Sequence, residues 1–305
     1  MSPAGVLVLD KRAGITSFDA VAEVRRRLRV RRVGHAGTLD PGATGVLPIL
    51  VGEATKLMPY LVDQDKEYRA TLRLGLTTDT LDAGGRILTT APVPSLAPAD
   101  VEAACRPFVG RIRQVPPMYS AVHHEGRRLY ELARQGIEVE REPRDVVVHT
   151  LEVEELGEGR LTLRVVCGKG TYVRVVAADL GAALGCGAVV ERLVRTRVGP
   201  FDLAGAVPSA DVAAMAADVL WARLRPPEAA LAGWPAVRLD VVAAQHFVHG
   251  QAVDAPVPQQ AALVRVHAVA DGRFLGVGEG SAGGKRVKPV RILNVDRPGT
   301  RVLPA

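Results

Sequence analysis

Residues 34–48 read Gly-His-Ala-Gly-Thr-Leu-Asp-Pro-Gly-Ala-Thr-Gly-Val-Leu-Pro, four glycines and two prolines around a single aspartate, Asp40. Glycine opens backbone angles that other residues avoid, and proline fixes its own. So many in one stretch predict a tightly prescribed loop. A carboxylate held on such a loop is a candidate for chemistry, because loops on a rigid scaffold often carry function. A lone aspartate before proline is ordinarily a turn residue. Here it lies between a run of arginines and the apolar stretch 46–51, a neighbourhood that suits an anionic partner.

The arginines are Arg25, Arg26, Arg27, Arg29, Arg31 and Arg32, with no acidic residue among them. They end an amphipathic helix that Thr16 or Ser17 can cap, with Val21, Val24 and Leu28 on its buried face. Together with a net charge of +6, they favour phosphate contacts and a polyanion such as nucleic acid. Three cysteines, Cys105, Cys167 and Cys186, are too scattered for a disulfide framework or a metal site. A reducing cytoplasm fits. The apolar run at 5–9 stops at Asp10 and Lys11, so it does not read as a signal peptide. No run approaches the ~20 apolar residues that a membrane span needs.

Periodicity supplies the rest of the outline. A short buried strand at 6–9 opens the chain. Lys66–Leu74 alternates, with Tyr68, Ala70, Leu72 and Leu74 on one face and Arg69, Thr71 and Arg73 on the other. Residues 79–85 are turn-rich, 92–98 read as a linker, and short helices follow near 99–106 and 130–135. Residues 145–153 and 160–167 read as paired strands, 171–184 as a helix and 189–198 as a strand. Pro226-Pro227 marks a junction. Beyond it, apolar runs at 237–242, 262–269 and 274–277 predict a small β-rich unit. The class is α+β.

The motifs together resemble the TruB family of bacterial tRNA pseudouridine-55 synthases. The signature is 34–41 with Ala43-Thr44-Gly45 and Gly52-Glu53-Ala54-Thr55-Lys56. Around it stand Asp10-Lys11 with Gly14-Ile15-Thr16-Ser17, then Lys66 to Tyr68, Leu74-Gly75, Thr78-Asp79-Thr80 with Asp82, and 114–121. Leu129-Tyr130 with 133–136, Lys169-Gly170-Thr171-Tyr172-Val173-Arg174 and Asp179-Leu180-Gly181 complete it. The order holds over 5 to about 203. Arg12 stands where the family usually has proline, and Gly168 where serine is common.

The resemblance implies a catalytic domain over 1–228 with a mixed, largely antiparallel sheet. It also implies a PUA-like RNA-binding β-barrel over 229–305, for which only the glycines around Val277 and the His249-Gly250-Gln251 turn speak. The implied reaction turns the T-loop uridine 55 of tRNA into pseudouridine, an isomerisation with no cofactor and no metal. Asp40 is the implied nucleophile, attacking C1′ or C6 or assisting elimination to a glycal. A dry pocket demands a cationic partner for it, and the family's match is Arg174. Tyr68 is implied to stack on the uracil and accept a proton. Tyr172 and Leu193 would line the pocket. His35 would fill the gap left by the flipped base, with Gly37, Thr38 and Lys11 as further RNA contacts. The C-terminal unit would hold the acceptor-stem end. A monomer without an obligate protein partner is expected, with a possible tRNA-folding role. A guide-dependent synthase of the archaeal kind shares the signature; activity on bare tRNA separates the two.

Overall fold

The computed structural model describes residues 4–258, 261–281 and 283–294. Its contacts divide the chain into two compact units. One comprises Met1–Pro41, Gly45–Asp63 and Val198–Ala305; the other comprises Gly42–Thr44 and Gln64–Arg197. The boundary expected at 228/229 follows the chain, whereas these units are discontinuous in it.

The first unit opens with β1 (Gly5–Lys11), buried as its apolar run predicts. The helix α1 (Ser17–Leu28) follows. Thr16 is its N-cap, in a capping box with Asp19, and Arg29 closes it in the left-handed region at φ 53°. Val21, Val24 and Leu28 are buried, as their spacing requires. Next come β2 (Val33–His35) and β3 (Thr44–Val51). The Gly/Pro-rich segment is therefore loop only over 36–43. Pro48, which argues against an interior strand, sits opposite Val8 in the β1–β3 pairing, and its carbonyl still accepts from the Ala36 amide at 3.0 Å. Later in the chain β13 (Phe201–Asp202), β14 (Val207–Pro208) and α6 (Ala217–Ala222) lead toward the C-terminal segment. β14 runs parallel to β1.

That segment forms a five-stranded mixed sheet. Its strands are β15 (Ala236–Leu239), β16 (Val253–Asp254), β17 (Leu263–Ala268), β18 (Phe274–Gly280) and β19 (Arg286–Ile292), ordered β15-β17-β18-β19-β16. The sheet and α7 (Val241–Val248) enclose one core that includes Val237, Phe247, Val264, Val266, Leu275 and Val287. The apolar run at 237–242 is thus not one strand. Asp240 splits it by accepting from the Ala243 amide at 2.8 Å as the N-cap of α7.

The C-terminal segment shares a second core with the N-terminal strands: Val6, Val46, Leu50 and Leu57 cluster with Leu231, Phe274, Val277 and Leu293. Glu53 clasps the same junction. It accepts from Arg32 at 2.8 Å and from the Asn294 amide at 3.1 Å, and it also pairs with Lys56. Burial pushes the Glu53 carboxyl up, but these donors outweigh it and hold it below the usual carboxylate range. Lys56 also donates to the Ile292 carbonyl at 2.8 Å.

The second unit is built on a sheet ordered β12-β4-β11-β10-β7, antiparallel from β4 to β7, comprising β4 (Lys66–Leu74), β7 (Gly110–Gln114), β10 (Arg144–Gly157), β11 (Arg160–Cys167) and β12 (Ala188–Val198). On β4 the predicted alternation is observed, with Tyr68, Ala70, Leu72 and Leu74 buried. α5 (Val173–Ala183) packs against β4, and α3 (Pro98–Cys105) packs against β10 and α5. The outer face is ionic: Arg164 donates to Glu67 at 2.9 Å, Arg69 to Glu154 at 2.6 Å and Arg160 to Glu191 at 2.7 Å. Such exposed pairs contribute about 0–1 kcal/mol each. Smaller elements are the helices α2 (Met58–Val62, in the first unit) and α4 (Leu129–Arg134) and two hairpins. The hairpins are β5 (Leu76–Thr78) with β6 (Ile87–Thr90), and β8 (His123–His124) with β9 (Arg127–Arg128). All three cysteines are free and buried.

Candidate active site

In the first unit the stretch 36–41 of this loop is pinned on either side of Asp40. Thr16 takes the capping role on α1, which releases the neighbouring Ser17. Ser17 is 2% exposed. Its hydroxyl accepts from the Leu39 amide at 2.8 Å and donates to the Leu39 carbonyl at 3.1 Å. On the other side, the Pro41 carbonyl accepts from the Gly14 amide at 2.9 Å and from Lys11 Nζ at 3.2 Å. Asp40 itself is half-buried. With both chain neighbours fixed, the backbone at Asp40 and the direction in which its side chain leaves the chain are set.

Lys11, expected from the sequence as an RNA contact, lies inside the fold. It is 0% exposed, and its ammonium also donates to the Arg12 and Ile15 carbonyls, both at 2.9 Å. In this arrangement it braces the turn that carries Asp40. His35, half-buried, ends β2 opposite Ile49. Gly37 adopts φ 94°, a left-handed turn out of β2. Thr38 is exposed at the loop's crest.

Three of the six arginines are also engaged within the fold. Arg25 donates to the Val33 carbonyl at 3.4 Å and Arg32 pairs with Glu53. Arg27 donates to the Met215 carbonyl. Arg26, Arg29 and Arg31 point to solvent.

The second unit carries Tyr68, Tyr172, Arg174 and Leu193. Tyr68 lies on the buried face of β4, 9% exposed, paired in register with Val165. Leu193 is half-buried on β12, the strand beside β4. Tyr172 occupies the N-cap position of α5, and Arg174 is the second residue of the helix, 5% exposed. Its guanidinium donates to the Thr80 carbonyl at 2.7 Å and to the Tyr119 carbonyl at 2.9 Å. The Thr80 loop is itself fixed: Asp82 accepts from the Thr80 hydroxyl at 2.8 Å and from the Gly84 amide at 3.0 Å. The sequence reading assigned no role to Ser17 beyond a cap, nor to Gln114, which grips Tyr172. Both partners lie far away in sequence, so no local pattern flags them.

Among the described residues no cluster of three or more histidines, cysteines, aspartates or glutamates has the arrangement of a metal site. None of their helices is long and apolar enough to cross a membrane.

Family models match nearly the whole chain. Residues 25–173 match the TruB family pseudouridylate synthase N-terminal domain. Residues 174–232 match a tRNA pseudouridylate synthase B C-terminal domain, and 235–293 a pseudouridine synthase II TruB C-terminal domain. A tRNA pseudouridine synthase B from Stutzerimonas stutzeri is 45% identical over 293 residues, 95% of each chain. One from Dechloromonas aromatica is 47% identical over 280 residues, 92% of each. Among solved structures, one of a Cbf5-Nop10-Gar1 complex superposes with a TM-score of 0.72 at 25% identity, covering 96% of this chain and 84% of that one. Another, of an H/ACA RNP bound to a substrate RNA, shares the fold with a TM-score of 0.70 at 23% identity, again over 96% and 84%.

Proposed function

We infer that this chain, which belongs to the TruB family of pseudouridine synthases, isomerises uridine 55 in the T loop of tRNA. The observation that carries the reading is the double clamp on Asp40, with Ser17 on Leu39 and Lys11 with Gly14 on Pro41. It holds a carboxylate ready on the family's signature loop. In the reaction the C1′–N1 bond breaks, the uracil turns over, C5 bonds to C1′, C5 gives up its proton and N1 gains one. Asp40 is the nucleophile. Arg174 is its charge partner. Tyr68 stacks on the flipped uracil and takes part in the proton transfer, and Tyr172 and Leu193 wall the pocket. A loop uridine is reached by flipping, at a cost of a few kcal/mol, and His35 fills its place, with Gly37 and Thr38 alongside. Residues 229–305 hold the acceptor-stem end. The enzyme works as a monomer in the cytoplasm, where its tRNA substrate is found.

The test is tritium release from unmodified tRNA labelled at uracil C5. One equivalent per tRNA is expected, and none from tRNA carrying cytidine at position 55. Tight binding without release from bare tRNA would overturn the reading in favour of a guide-dependent enzyme or a binding protein.

A second expectation concerns salt. Arg26→Ala, Arg29→Ala and Arg31→Ala should each weaken tRNA binding and reduce the slope of log K against log salt by about 1. Arg25→Ala and Arg27→Ala should lower stability and leave the slope unchanged. Slopes equal to that of wild type in all five variants would remove the end of α1 and the residues just after it from the RNA-binding surface.

A further inference from the structure

Gln114 ends β7 and is 2% exposed. Its Oε1 accepts from the Tyr172 amide at 3.0 Å, and its Nε2 donates to the Tyr172 carbonyl at 3.3 Å. One buried side chain thus reads both backbone groups of one residue, as a neighbouring strand would. Tyr172 is extended, at φ −100° and ψ 106°, and no side chain caps α5. Its carbonyl also accepts from the Val175 amide at 3.0 Å, the first turn of the helix. Two residues on, Arg174 donates to the carbonyl of Tyr119, on the segment that leaves β7. The stretch 114–119 therefore holds the entry to α5 at two points.

We propose that Gln114 is a positioning residue for the reaction: it fixes the Tyr172 peptide and, through it, the Tyr172 ring and the Arg174 guanidinium. The proposal rests on the reading that those two side chains serve catalysis. The physical requirement is one acceptor and one donor at the spacing of a carboxamide. Leucine and methionine supply neither. An ionised glutamate supplies two acceptors and turns one of them on the Tyr172 carbonyl. A protonated glutamate restores the donor. Burial and the facing carbonyl both disfavour the charged form, so an introduced carboxyl titrates above its ordinary value.

The experiment measures kcat and KM on tRNA between pH 6 and 8.5 for wild type, Gln114→Glu and Gln114→Met, with thermal unfolding alongside. Gln114→Glu should lose roughly 10- to 100-fold in kcat at the alkaline end, the scale of an ångström-sized misplacement. It should recover toward wild type as the pH falls and the carboxyl protonates. Gln114→Met should be slow at every pH, with KM within about threefold of wild type, because the defect lies in geometry and not in binding. A Gln114→Glu profile parallel to wild type overturns the proposal, and so does a Gln114→Met kcat near wild type. If the glutamate variant does not fold, the methionine variant alone decides by the split between kcat and KM. Inactive wild type in the same assay would instead indict the functional reading.

Discussion

Asp40→Asn is expected to lower single-turnover tritium release by roughly 10⁴-fold or more, the scale seen when a nucleophile is removed. tRNA affinity should stay within about threefold. The substitution is nearly isosteric, and the backbone on either side is held by other residues: Ser17 binds the Leu39 backbone, and Lys11 and Gly14 bind the Pro41 carbonyl. The loop should therefore keep its shape while losing the charge. Parallel filter binding and release assays check this. A tenfold loss of affinity would make Asp40 structural, and release within a hundredfold of wild type would dismiss it as nucleophile. If the variant still refolds tRNA, that activity is separate from the chemistry.

Tyr68→Phe is expected to slow the chemical step by about 10²- to 10⁴-fold, the range for a lost proton-transfer group. Binding should remain near wild type. The side chain is on the buried face of β4, the face it shares with Ala70 and Leu72, so phenylalanine keeps both the apolar bulk and the stacking surface. Tyr68→Ala should lose the stack as well, weakening tRNA binding by about 1–3 kcal/mol. Unchanged single-turnover rates in Tyr68→Phe would leave the tyrosine as a stacking platform only.

The elements legible in the sequence are those whose signals are local. α1 carries its cap and its apolar stripe within 13 residues, and β4 declares itself by strict alternation. β3 was obscured by Pro48, which a strand tolerates because its carbonyl still pairs. α7 was hidden because Asp240 looks like an interruption in an apolar run until its side chain is seen on the Ala243 amide. The signature located the Asp40 loop, yet the residues that aim it were legible only in part. Lys11 reads as a surface cation because one of its carbonyl partners, Pro41, is 30 residues away. Gln114 reads as an ordinary strand residue because its partner is 58 residues away.

The core shared by Leu57, Leu61, Phe274 and Leu293 has a consequence for how the protein is made. Its two halves are separated by roughly 200 residues of chain, which at ~5–20 residues per second takes a ribosome on the order of 10–40 s to supply. Val198, Phe201, Ala230 and Leu231 join the core earlier, but until Phe274, Val277 and Leu293 arrive the N-terminal apolar residues lack part of their cover. A premature stop before Phe274 is therefore expected to leave this core incomplete, its N-terminal side only partly covered.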